Sequence, residues 1–432
     1  MTPTLEQQRL HFIDHLRGFM FIIMAVDHAL HAYAFYWGRF WFFKDYDRSI
    51  VFDAFYLHDQ SIIMPMLFFI MGMFVIPSLY RRGLLGYLKE RFIKLGIPFL
   101  VGIPFIVPLL SYPRYEHYQD QGISLFEFWT KIFFFEKLQA GPYWVQQAMF
   151  FYGFILLFIY KILPWIFKGF KAYIVWALKN PIAGYISFGL ISSVILGLSD
   201  LMWGAPWWVG LNKLFELEDS PYLNSILKLF SLQGSRFLLV LLYCFTGAAI
   251  STTKIFYDQG FMERLSKSWL HWMSLMIGLG VLYVGYSLSY IDDGAYSEAI
   301  HHYFDQGGHW SEAGPLMCAE APMVLIRTTL HGFFCLAQVI TLLAVFKRFY
   351  DKPTPLWTSL AINAYGIFML HDPIMIWMQY GFIATELPIL IKFLITAVVG
   401  IGAAWILNDK IFRKLPGFRR ILDPEGIKRV IS

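Results

Sequence analysis

Apolar runs of about 20 residues recur along most of this chain, each long enough to cross roughly 30 Å of hydrocarbon as a helix. No other feature narrows the fold as much. Backbone placed in lipid must satisfy its own N–H and C=O groups, which leaves helices or a closed barrel. Barrel strands would show short segments of alternating hydrophobicity, and these runs do not alternate. Composition agrees with helices in lipid: 57% of the residues are hydrophobic and 15% charged, against about a quarter charged in a soluble domain.

Hydropathy predicts spans at 15–37, 57–80, 92–112, 143–166, 181–199, 228–251, 269–290, 322–346, 356–380 and 386–407. Lys and Arg then alternate from loop to loop. Arg81, Arg82, Lys89, Arg91 and Lys94 follow the second span, and Lys161, Lys168, Lys171 and Lys179 the fourth. Lys254, Arg264 and Lys267 follow the sixth, while Lys347, Arg348 and Lys352 follow the eighth. The intervening loops are sparse in both residues, and 291–320 has neither. The positive-inside rule therefore puts both termini and every even-numbered loop in the cytoplasm. The expected fold is all-α: a polytopic membrane protein of about ten transmembrane helices, forming one integral-membrane domain over 1–432.

The net charge of +5 resides in inter-helix loops and does not point to nucleic acid. Cys244, Cys318 and Cys335 show no CxxC or metal-type spacing. The first apolar run is too long for a cleavable signal peptide, contains Arg17 and His28, and lacks a small-residue cleavage site. Two external loops, 200–222 and 291–320, are rich in aromatic, acidic and histidine residues. Trp203, Trp207, Trp208 and Trp310 could stack on sugar rings or form an interfacial belt. His301, His302 and His309 match no strong metal motif.

Charged groups inside hydrocarbon are costly and usually mark function. Arg17 and His28 lie eleven residues apart on the first span, which is three turns, so they share a helix face about 16 Å apart. Arg17 falls at the cytoplasmic mouth; His28, with Asp27 and His31, falls in the outer half. A guanidinium at the rim suits a phosphorylated head group, and a deep imidazole can take a proton from a hydroxyl. Other spans bring His58, Asp59, Arg236, Arg327, His331 and His371 to a similar depth. Unrelated polar residues would scatter over depth, so a shared polar cavity is expected. A proton-coupled secondary transporter of a small anionic or sugar substrate could use the same residues, but no inverted repeat is visible in the sequence.

The segments 12–33 (FIDHLRGFMFIIMAVDHALHAY), 68–74, 89–105, 141–152 and 363–376 (NAYGIFMLHDPIMI), in this order and on these spans, carry a resemblance. The chain resembles the membrane-bound acyltransferase family three, most of all its glucans biosynthesis protein C type. The resemblance implies transfer of an acetyl or succinyl group from cytoplasmic acyl-coenzyme A to a hydroxyl of a glycan or glucan acceptor outside. It implies a multi-pass protein of the bacterial inner membrane and no metal. Arg17 and His28 carry over as the functional pair, and Arg91 and Lys94 as a basic pair opening the third span, where the family commonly has arginines. After Trp144 this chain departs from the family, with Gln146 and Gln147.

The expected mechanism places the coenzyme A head against Arg17, Arg91 and Lys94. Its pantetheine arm, roughly 15–20 Å long, would reach His28 along the helix. His28 would act as general base, with Asp27 or a backbone carbonyl fixing its tautomer; an acyl-histidine intermediate stays open. Arg327, His371 and Arg236 are the candidates for holding the oxyanion. Trp144, Arg236 and His331 are assigned to the acceptor side, and Arg236 or Arg327 could equally hold a succinyl carboxylate.

Overall fold

The computed structural model describes residues 10–36, 41–42, 44–119, 122–203, 208–210, 223, 226–227, 229–290 and 321–422. The fold is all-α, and its order follows the predicted spans closely. Helix α1 covers His11–Leu30, α2 Ile50–Arg91, α3 Ile97–Phe105, α4 Val107–Gln119 and α5 Trp144–Ile162. Then come α6 Pro164–Lys179, α7 Pro181–Trp203, α8 Gly234–Ser251, α9 Gln259–Lys267 and α10 Trp269–Tyr290. The chain closes with α11 Ala321–Phe349, α12 Pro355–Ile383, α13 Ile389–Lys410 and the short α14 Pro416–Leu422. A three-residue antiparallel ladder, β1 Trp208–Gly210 with β2 Ser231–Gln233, precedes α8.

Among the described residues, seven helical stretches are long and apolar enough to cross a membrane. One of them, Ile50–Tyr118, holds the second and third predicted spans together. Its chain turns at Gly83, where φ is +68°, a conformation that costs glycine nothing. A π-helical turn over Phe92–Gly96 then leads into α3. The two remaining predicted spans are α1 and α12, each long enough to cross but diluted by polar groups. Helix α1 carries Asp14, Arg17 and Asp27; α12 carries Asn363, His371, Asp372 and Gln379. These two least apolar helices pack against each other and supply the site described below.

Helix α6 was not among the predicted spans. It buries only Phe167 and Ile174, and Lys171 donates to the Thr252 carbonyl at the end of α8. Such a one-sided helix lies along an interface rather than through it.

The main core is formed where α1, α2, α5, α8 and α11 meet. Helices α2 and α8 touch backbone to backbone. A Cβ on Gly72 would stand 2.0 Å from the Cys244 carbonyl oxygen, and one on Gly247 would stand 2.0 Å from that of Phe69. Close approach through small residues is how membrane helices gain packing where lipid supplies no hydrophobic drive.

Candidate active site

The chain ends of several helices converge on a cavity of about 440 Å³. Helix α1 gives it Asp14, Arg17 and Phe21; α2 and the turn after it give Arg81, Arg91 and Lys94. Residues of α8, α12 and α14, including Ile250, Tyr365 and Leu422, complete the wall. The three residues expected to hold a phosphorylated head, Arg17, Arg91 and Lys94, therefore line one space, and Arg81 joins them. Arg17 donates to the Ala361 carbonyl at 3.2 Å and lies 3.6 Å from Asp14. Lys94 pairs with Glu90 at 3.2 Å, and Arg91 stacks over Tyr87 at 5.2 Å. The segment after α8 (Ser251, Thr253, Phe256 and Tyr257) and α14 (Ile421 and Leu422) close the same mouth with uncharged residues.

Eleven residues further along α1, His28 meets α12. Its Nδ1 lies 2.7 Å from Asp372 Oδ1 and 2.9 Å from His371 Nε2. His371 is fully buried, and its Nδ1 lies 3.0 Å and 2.9 Å from the carbonyl oxygens of Ile367 and Phe368. With both rings neutral and Asp372 ionised, these distances fit one assignment of the protons. A nitrogen facing two carbonyls must carry hydrogen, so His371 is protonated at Nδ1 and presents a lone pair at Nε2. His28 Nδ1 then faces two acceptors and must itself carry hydrogen. A neutral His28 is left with its lone pair on Nε2, which makes no hydrogen bond among the described residues. This is the proton arrangement of a carboxylate-oriented imidazole base.

The same three side chains form a set that could hold a metal ion, with ligand atoms all within 4.8 Å. Two of the separations, 2.7 and 2.9 Å, are hydrogen-bond distances made by the His28 Nδ1 proton, and the third, His371 Nε2 to Asp372 Oδ1, is 3.3 Å. Ligands at zinc bond lengths would stand about 3.3 Å apart along every tetrahedral edge.

Asp27, one residue from His28 and so turned about 100° away, faces other partners. Gln60 donates to its Oδ2 at 2.7 Å, and His31 Nε2 stands 3.1 Å from the same atom. Arg236 in turn donates to Gln60 Oε1 at 2.9 Å and to the Gln60 carbonyl at 3.1 Å. The carboxylate on His28 is thus Asp372 rather than the Asp27 expected from sequence. Arg327 pairs with buried Asp200, and His331 lies 3.3 Å from the Tyr283 hydroxyl. His58 pairs with Asp59 at 2.9 Å, and Gln338 donates to the His58 carbonyl at 3.1 Å. The polar layer expected from depth exists as neighbouring sets: His31 joins the His28 cluster to the Asp27–Gln60–Arg236 chain, and the Asp200–Arg327, His58–Asp59 and His331–Tyr283 pairs make their own contacts. Trp144 opens α5 and packs between two apolar clusters. Trp207, Trp310, His301, His302, His309 and Cys318 lie outside the described residues, and Trp203 and Trp208 are described in backbone only.

The segment after α1 covers the cluster. Trp41 stacks 5.2 Å from His28 and 4.9 Å from His31, and donates to Gln379 Oε1 at 2.8 Å. Two ties hold the segment down. Asp53 accepts the backbone N–H groups of Phe35 and Tyr36, and Asp45 forms a fully buried pair with Lys392 at 2.9 Å.

The site thus joins a basic cavity at one end of helix α1 to a carboxylate-bound imidazole eleven residues along the same helix. The family model of an acyltransferase domain, acyltransferase family 3, matches residues 10–409. The chain belongs to this family and is an enzyme that transfers acyl groups other than amino-acyl groups. No curated protein and no solved structure matches the chain.

Proposed function

We propose that the protein moves an acyl group, acetyl or succinyl, from acyl-coenzyme A at the Arg17 cavity to a hydroxyl of a glycan on the opposite face of the bacterial inner membrane. The supporting observation is that one helix, α1, carries both Arg17 in the basic cavity and His28 in the hydrogen-bonded cluster. The cavity volume falls within the range of small-molecule sites. Its four cations suit a polyphosphorylated head, and the thin arm of the donor is the part able to enter the helix bundle.

In the chemical step His28 Nε2 removes the acceptor proton as the hydroxyl oxygen attacks the thioester carbonyl. The imidazolium so formed is stabilised by Asp372, and the thiolate leaves with the proton returned. His371 Nε2 accepts in this arrangement, so it positions His28. A positioned base supplies about 10²–10⁴-fold; holding donor and acceptor together supplies much of the rest.

Binding of acetyl- and succinyl-coenzyme A to purified protein in nanodiscs tests the donor assignment. A charge-assisted contact of about 1.5–3 kcal/mol predicts that Arg17→Ala weakens binding by roughly 10- to 150-fold. Absence of binding to folded wild type would move the function to transport of a small anion.

A further inference from the structure

Between the Arg17 cavity and His28 runs a seam where α5 faces α12. From α5 and the turn before it the seam takes Met149, Gln146 and Tyr143; from α12 it takes Tyr365, Met369 and Asp372. Met149 and Tyr365 line the Arg17 cavity. Tyr143, Gln146, Phe368, Met369 and Asp372 line a separate void of about 10 Å³, the room of a single water. The seven residues from Tyr365 to Asp372 span about 10 Å of helix. On the α1 side, Phe21 stacks on Phe368 at 5.5 Å and leaves an apolar wall.

Two atoms at this void lack partners. Gln146 is 1% exposed, donates Nε2 to the weak acceptor Met369 Sδ at 3.0 Å, and leaves Oε1 without a hydrogen bond. Asp372 is 2% exposed and leaves Oδ2 without one, while its Oδ1 holds His28. A buried acceptor is costly without a donor, about 1–3 kcal/mol, so both oxygens are suited to accept from an N–H or O–H group.

We infer that Gln146 recognises the donor's arm: its Oε1 accepts the secondary amide N–H that lies two carbons from the thioester sulfur. This rests on the acyl-thioester reading above. The amide form fits the length of the seam. With the N–H at Gln146, the thioester carbonyl lies about 5 Å further on, one helical turn, level with Asp372 and His28. Gln146 is a binding residue that sets which thioesters reach His28 in register, and it takes no part in the proton transfer.

The test pairs two small thioesters with wild type and two variants of the full chain in nanodiscs. S-acetyl-N-acetylcysteamine keeps the amide, and S-butyl thioacetate lacks it. Wild type should use the amide-bearing thioester about tenfold or more better in kcat/KM. Gln146→Met, of similar volume, should bring the two within about twofold by lowering only the first, and Gln146→Glu, which keeps an acceptor, should retain the preference. An unchanged preference in Gln146→Met overturns the assignment and leaves the void to water. Equal loss of both thioesters in Gln146→Met also overturns it, since that reports a structural role. If wild type consumes neither thioester nor acetyl-coenzyme A, the acyltransfer reading itself fails, a result distinct from the other two.

Discussion

Asp372→Asn isolates the orienting carboxylate from everything else in the site. The substitution keeps the shape of a side chain that is 2% exposed and removes only its charge. In wild type Asp372 Oδ1 lies 2.7 Å from His28 Nδ1 and faces the imidazolium that forms during proton transfer. A hydrogen bond to a charged group contributes about 1.5–3 kcal/mol, which converts to a loss of roughly 10- to 150-fold in kcat. In serine hydrolases the same exchange costs about 10⁴-fold because the imidazole adopts the wrong tautomer. Here His371 Nε2, at 2.9 Å, is a second acceptor that keeps the proton on Nδ1, so the smaller range applies. Donor KM should change far less than kcat, because Asp372 meets only the far end of the arm and does not line the Arg17 cavity that takes the head. Steady-state thioester turnover in nanodiscs, with melting to confirm folding, reads both parameters. Adding His371→Ala should remove the second acceptor and take the loss toward that of His28→Ala. A loss near 10⁴-fold in the single Asp372→Asn variant would refute the tautomer argument, and a kcat within threefold of wild type would refute the role of the carboxylate.

Two further substitutions test the frame that holds the site. Lys392→Met leaves Asp45 as an uncompensated charge at a position where both partners are 1–3% exposed, and breaking such a pair costs about 3–5 kcal/mol. The melting temperature should fall clearly, and the double variant Lys392→Met/Asp45→Leu should recover most of the loss; no fall in the single variant contradicts the pair's role in anchoring the Trp41 segment. Gly247→Val drives a Cβ onto the Phe69 carbonyl oxygen, and overpacking of this kind costs about 1–3 kcal/mol or more. Reduced yield and melting temperature are expected, and wild-type stability would show that α2 and α8 are not in backbone contact.

The spans were legible because hydropathy is a local property. Arg17 was legible from its place on the first span, and Arg91 and Lys94 came with the family resemblance; all three line one cavity. What the sequence could not reveal was rotation about the helix axes. Asp27 and Asp372 are both acidic residues beside a histidine in a span, and only the crossing of α1 with α12 decides which carboxylate meets His28. Asp372 did leave a signal: a charged residue directly after His371 in an apolar span. Gln60 left none, because its contacts with Asp27 and Arg236 come from helices distant in sequence. Helix α6 was missed because its polar face lowers the mean hydropathy below that of a span. Depth also overstated convergence: Arg327 and His331 share the outer half with His28, yet their contacts are with Asp200 and Tyr283.

The central claim is that a thioester entering at the basic mouth is consumed at His28. Proteoliposomes of uniform orientation, given acetyl-coenzyme A on one face at a time with water or an added β-glucan oligosaccharide as acceptor, test it directly. Saturable release of free coenzyme A from the Lys- and Arg-rich face alone, abolished in His28→Ala while donor binding persists, is the predicted result. Release that is equal from both faces, or that survives in His28→Ala, would contradict it.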